Sequence, residues 1–351
     1  MLNNTFTRAM KRLGLPGRTE TAPAEPIRTA WSPPRAVADP DCILRGNPRH
    51  PGHDPQGFRN AQPLREADIC VLGGSFAYGA GVGDEQCWPK LLGWIGDTTV
   101  FNAAFRGWGP MQAAIVIEEM LQRNPSRVIL TLHSCDARRA FLGAARSRHE
   151  LARTVWKPEY ENVEVPTLLI KDMAAKAYRL ERQANPDADP GELLAVIADR
   201  GVPDFNRFEL GGARLYLADN VCRAAQAHGT HAVEAGHAVL KYCLEHIARM
   251  TQDAGAELTI LLAPSREYVA FTRMHEAVVR SPETLRALGQ TEARTMNRLK
   301  YACDNIRAEH YELTDALAAA LPRRIFPQDS RDGNPSPKGC RLIAETVHRL
   351  L

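Results

Sequence analysis

The run Ile69-Cys70-Val71-Leu72-Gly73-Gly74-Ser75-Phe76-Ala77-Tyr78-Gly79 places four apolar residues directly ahead of a glycine pair and a serine. Following the polar Arg65-Glu66-Ala67-Asp68, such a run suits a central strand covered on both faces. Gly73 and Gly74 allow a sharp turn at the strand's carboxyl end. That turn predicts a Ser75 hydroxyl standing at the crevice where open α/β sheets bind ligands. We read the stretch as a buried strand followed by a nucleophile turn, although a plain strand-to-helix turn uses the same residues.

The remaining chain alternates strand and helix patterns. Trp88 to Ile95 reads as a short helix, 98–102 as a second strand, and Met111 to Leu121 as a helix with apolar residues at 111, 114, 115, 117, 120 and 121. Arg127 to Leu132 reads as a third strand ending in His133-Ser134-Cys135-Asp136. Helices are predicted over Ala235 to Ala254 and within Pro282 to Glu309, with strands at Glu257 to Ala263 and Tyr311 to Thr314. Ser336 as N-cap and Pro337 at N1 start a helix that runs to Leu351. Strands separated by single helices predict a three-layer α/β/α sandwich with a parallel, doubly wound, flavodoxin-like sheet. The proline-rich residues 1–62 read as an extended amino-terminal arm. Residues 63–142 and 231–351 form two halves of one α/β domain. The charged stretch 143–230 is too long for an ordinary connection and reads as a helical insertion or lid over the crevice.

Several blocks resemble the SGNH (GDSL-type) hydrolase family. The first is Gly73-Gly74-Ser75-Phe76-Ala77-Tyr78-Gly79, with Trp88-Pro89 beyond it and His53-Asp54-Pro55-Gln56-Gly57-Phe58-Arg59-Asn60 as lead-in. Gly74 stands where the family has aspartate. The second is Asn102-Ala103-Ala104-Phe105-Arg106-Gly107-Trp108-Gly109-Pro110. The resemblance implies that the Gly107 and Ser75 backbone N–H groups bind an oxyanion, and that Trp108 and Gly74 border the substrate. His133-Ser134-Cys135-Asp136 occupies the place of Gly-x-Asn-Asp, so Cys135 replaces the oxyanion asparagine. Asp332-Gly333-Asn334-Pro335-Ser336 matches the block whose aspartate and histidine complete the triad. Asp332 is present, and Asn334 takes the place of the histidine.

The resemblance thus implies an esterase or acyltransferase with Ser75 as nucleophile and a rewired triad. An amide cannot take the serine's proton, so another base is needed. His133, at the end of the third strand, is the candidate substitute. Cys135 is a candidate nucleophile in its own right, since thiolates need less activation. Arg266 and Glu267, after Pro264-Ser265, are placed at the crevice rim, with Arg266 as a candidate substrate contact. The rival class is a catalytically silent protein that keeps the crevice for a ligand or scaffold role.

Composition excludes other classes. Net charge is +3, with 44 basic and 41 acidic residues interspersed, which argues against nucleic acid. No apolar run approaches the ~18 residues that span a bilayer. The basic, weakly amphipathic start (Met1 to Leu15) lacks the apolar core of a secretory signal, so cytoplasmic residence is expected. The eight cysteines show neither Cys-x-x-Cys pairs nor zinc spacing, and His228, His231 and His237 form no recognised metal set. The expected partner is a small acyl or ester substrate, with no cofactor and no metal.

Overall fold

The computed structural model describes residues 35–161, 163, 182–189, 192–193, 205–210, 213–218, 231–328 and 333–351. Five strands form one fully parallel sheet: β3 (Ile69–Leu72), β4 (Val100–Asn102), β5 (Arg127–His133), β8 (Glu257–Ala263) and β9 (Glu309–Glu312), in the order β4-β3-β5-β8-β9. Chain order therefore reverses between β3 and β5, the switch point at whose carboxyl edge open α/β sheets place their ligands. Register puts Ile69 beside Arg127 and Arg127 beside Glu257, so β3, β5 and β8 begin level with one another.

All four residues of β3 and the central five of β5 are buried, which requires cover on both faces. The cover comes from two groups of helices. Helix α3 (Pro110–Leu121) and α4 (Asp136–Arg146) pack with α6 (His231–Asp253), and α2 (Trp88–Gly96) packs with α10 (Pro337–Leu350). The Ser336 hydroxyl accepts from the Gly339 N–H at the start of α10, with Pro337 at N1, as its sequence predicts.

Some elements differ from the sequence expectation. The last strand spans Glu309–Glu312 and ends two residues early, because Thr314 opens helix α9 (Thr314–Ala320). Helix α7 (Arg266–Glu276) precedes α8 (Glu283–Asn305). Within the stretch expected to be helical, α5 (Glu150–Val155) is helical, but Phe205–Leu210 (β6) and Ala213–Ala218 (β7) form an antiparallel hairpin. Leu210, Ala213 and Leu215 are buried, and the Arg214 N–H donates to the Gln328 side chain at 2.6 Å.

Residues 1–34 lie outside the description. The described part of the expected arm contains a hairpin, β1 (Ala36–Asp39) with β2 (Ile43–Gly46), and then a polar segment buried against the Ser75 turn. Arg59 donates to the carbonyls of Tyr78, Gly79 and Val82 and pairs with Asp84 at 2.7 Å. Asn60 accepts from the Asn102 N–H at 2.9 Å, and the Asn102 amide donates to the Ala77 carbonyl at 3.0 Å. His53 contacts the Asn47 carbonyl through Nδ1 at 3.0 Å and the Tyr78 hydroxyl through Nε2 at 2.8 Å. A carbonyl only accepts, so the Nδ1 side carries the proton and Nε2 receives the Tyr78 O–H. The lead-in residues thus hold the helix that follows Ser75.

Candidate active site

The turn after β3 is built as the sequence predicts. Gly73 has φ +146, and a Cβ there would lie 1.9 Å from the Thr131 hydroxyl, so only glycine fits. Ser75 opens a one-turn helix, α1 (Ser75–Tyr78), closed by Gly79 at φ +78. Ser75 itself is half-buried. At Gly74, where the family places aspartate, a Cβ would meet the Trp108 carbonyl oxygen at 2.8 Å and Arg139 Nη1 at 3.2 Å. A side chain here would need the Trp108 backbone to shift and would stand beside the Arg139 guanidinium.

A cavity of about 210 Å³ lies at the carboxyl ends of the strands. Of the residues singled out from sequence, Gly74, Ser75, His133, Arg266, Glu267 and Asn334 line it. Segments remote in the chain thereby meet around Ser75. Asp332 lies outside the described residues. Gly107 has φ +83 and is exposed, and it is not among the lining residues. Trp108 is also outside the lining: its indole is buried, and its N–H donates to the Leu44 carbonyl at 2.6 Å, tying the second block to β2. No described side chain hydrogen-bonds the Ser75 hydroxyl, and Asn334 shares the cavity as a half-buried amide.

The other end of the cavity is set by β5 and α4. Asp136 accepts from the His133 N–H at 2.8 Å and from Arg139 Nη1 at 3.2 Å, fixing the strand end to the helix start. Cys135 is the N-cap residue of α4, with its Sγ 3.6 Å from His133 Nδ1. Ser134 Oγ approaches the same nitrogen at 3.3 Å. Glu292 is buried and accepts from the Ser265 N–H at 2.7 Å and from its hydroxyl at 2.6 Å.

This cluster is electrostatically coupled. Burial alone would raise the Cys135 thiol, but the Arg139 guanidinium and then His133 outweigh it and hold the thiol below its ordinary value. Burial alone would lower His133. The charge of Cys135 and its hydrogen bond outweigh that, and His133 is pushed up to about 9. Burial raises the Glu292 carboxyl. His133 and Cys135 thus shift each other in opposite directions, while Cys42, Cys70, Cys87, Cys303 and Cys340 are all raised by burial. Sequence spacing identified His133 and Cys135. It missed Arg139 and Glu292, although Arg139 lies three residues after Asp136 and so on the same helix face.

Among the described residues no cluster of His, Cys, Asp and Glu suits a metal ion, and no helix is long and apolar enough to cross a membrane. No protein-family model matches the sequence, and no curated protein does. Solved structures similar to the chain include a protein described as a lipolytic protein of the G-D-S-L family from Desulfitobacterium hafniense DCB-2 (12% identity, 81% of this chain and 98% of that one, TM-score 0.38). They also include the esterase EstA of Pseudoalteromonas sp. (13%, 80% and 94%, TM-score 0.36) and an extracellular lipase of Streptomyces rimosus (13%, 80% and 99%, TM-score 0.40). Likeness this distant assigns no activity. What the chain shows in its own residues is a doubly wound α/β sheet whose switch point carries sequence blocks resembling those of the SGNH (GDSL-type) hydrolases.

Proposed function

We propose that the crevice processes an acyl or ester substrate, as a divergent SGNH-type hydrolase or acyltransferase with the Ser75 hydroxyl at its centre. The observation carrying this reading is that Ser75 and Asn334, from blocks at opposite ends of the domain, line one cavity together with His133. A strand-to-helix turn chosen only for packing has no reason to meet the residue at the family's histidine position.

One observation favours the rival reading, a binding protein on the same scaffold: no described side chain receives the Ser75 proton, and an asparagine cannot. Hydrolysis of a short-chain ester by wild type, Asn334→His and Asn334→His with Ser75→Ala separates the two. A positioned general base contributes about 10²–10⁴-fold, so Asn334→His should raise turnover by at least about 10²-fold, and Ser75→Ala should abolish the gain. A folded Asn334→His variant no faster than its Ser75→Ala control would take Ser75 out of the chemistry, and no ester turnover in any of the three would favour the binding reading.

A further inference from the structure

We infer that Arg139 is the oxyanion donor of this crevice, its guanidinium serving where the family's asparagine amide is replaced by Cys135. The inference rests on the acyl-substrate reading above and adds a residue that the sequence blocks do not contain.

Of the oxyanion residues expected from sequence, only Ser75 lines the cavity; Gly107 and Cys135 do not. Arg139 does line it, and two glycines mark the path of its side chain. A Cβ at Gly109 would lie 2.6 Å from Arg139 Cβ, and a Cβ at Gly74 would lie 3.2 Å from Arg139 Nη1. The side chain therefore starts against the second block and ends against the first, at the residue before Ser75. Helical side chains lean toward the helix start, so Arg139 reaches back over the turn that begins at Cys135, the N-cap position of α4. Asp136 accepts from Nη1 at 3.2 Å and fixes the orientation of the guanidinium. A guanidinium carries five N–H donors, and among the described residues Asp136 alone accepts from this one, which leaves donors for a ligand in the cavity. The Arg139 side chain is 28% exposed, whereas Arg266, the other guanidinium in the lining, is buried and paired with Glu267 at 3.1 Å.

The donor acts without changing its own charge. The attacking oxygen forms a bond to the ester carbonyl carbon, and the carbonyl π pair moves onto its oxygen as an oxyanion. An Arg139 N–H hydrogen-bonds that oxyanion and keeps its proton, since a guanidinium is not deprotonated in proteins. The pair then returns to the carbonyl, the C–O bond to the alcohol breaks, and the departing alkoxide takes the proton that the attacking oxygen gave up. A charged donor binds the developing oxyanion more strongly than the neutral carbonyl before attack, so its effect falls on kcat.

The test uses the full chain and p-nitrophenyl acetate, in wild type and in Asn334→His, where an imidazole is supplied as base. Arg139→Ala and Arg139→Gln are added to each, with circular dichroism as the check on folding and Ser75→Ala as the control. Losing one oxyanion donor costs about 10²–10³ in turnover, so Arg139→Ala should lower kcat by at least about 10²-fold while KM stays near its parental value. Guanidinium chloride below denaturing concentration should restore part of that loss in Arg139→Ala, where the space is open, and none in Arg139→Gln, where a side chain fills it. A KM that rises with kcat unchanged makes Arg139 a ground-state contact and overturns the assignment. An unchanged kcat in either folded variant, or a loss in Arg139→Ala that guanidinium does not relieve, overturns it too, with the acyl reading left in place. No Ser75-dependent hydrolysis in wild type or Asn334→His removes the acyl reading, and this assignment with it.

Discussion

Arg59 and Arg139 each bring a guanidinium to the Ser75 turn, and they are used in opposite ways. Arg59 is buried, with its donors taken by three carbonyls and Asp84. Arg139 is half-exposed, pairs with Asp136 alone among the described residues, and directs its field at Cys135. A cation whose donors are taken up by backbone carbonyls fixes that backbone. One with a single partner and a neighbouring thiol perturbs chemistry. The region beneath Ser75 is therefore held through its backbone, and the region beside it is where charged groups shift one another.

The largest expected effect tests the scaffold half of that contrast. Arg59→Ala leaves buried carbonyls at Tyr78, Gly79 and Val82 without their donor, at about 1–3 kcal/mol for each unsatisfied group that cannot relax to water, so a loss of about 3–5 kcal/mol is expected in urea unfolding. A loss below about 1 kcal/mol would break the comparison. Next is Gly74→Asp, which restores the family residue. The new Cβ meets the Trp108 carbonyl, and overpacking of this kind costs about 1–3 kcal/mol. Thermal unfolding should fall, with no gain in ester turnover. Arg139→Ala should cost under about 1 kcal/mol, as expected for a partly exposed pair, yet raise the pH midpoint of Cys135 alkylation by iodoacetamide. Equal stability losses at positions 59 and 139 would erase the distinction.

The smallest effect is in pH dependence. His133 is raised from 6.5 to about 9, so its contribution to stability is present below 6.5 and lost as pH rises through about 9. Cys135 is lowered from 9, so its contribution is present above 9 and lost as pH falls through the lowered value. Because His133 is raised only while Cys135 is ionised, the joint contribution is present between the lowered Cys135 value and about 9. The urea midpoint of wild type minus that of Cys135→Ser should be greatest in that window and shrink on either side, and a flat difference would sink the ion pair.

The parts of this molecule legible in sequence were those fixed locally. Ile69–Leu72 needs only an apolar run and a glycine pair, Glu257–Ala263 only its apolar content, and the start of α10 only Ser336 and Pro337. The hairpin of β6 and β7 was also written locally, as two short apolar-containing segments around Gly211-Gly212, but its surrounding charge disguised it. The crevice was legible as far as the block residues reached. Glu292 was not, because it joins Ser265 through packing of α8 against α7 and the sheet, and no sequence spacing encodes that meeting. The core position of Trp108 depends likewise on a hairpin more than sixty residues upstream.

The pairing of β5 with β8 has a consequence for how the chain tolerates change. The two strands are joined only after 123 intervening residues, yet loop-closure entropy grows with the logarithm of length, so a connection five times longer than an ordinary one costs only about 1.4 kcal/mol more. An evolving or engineered chain can therefore lengthen or shorten the stretch between α4 and α6, the helices that cover the sheet, with little entropic penalty to the β5–β8 pairing. The carboxyl edge holding Ser75 and His133 becomes a fixed socket to which different specificities can be fitted.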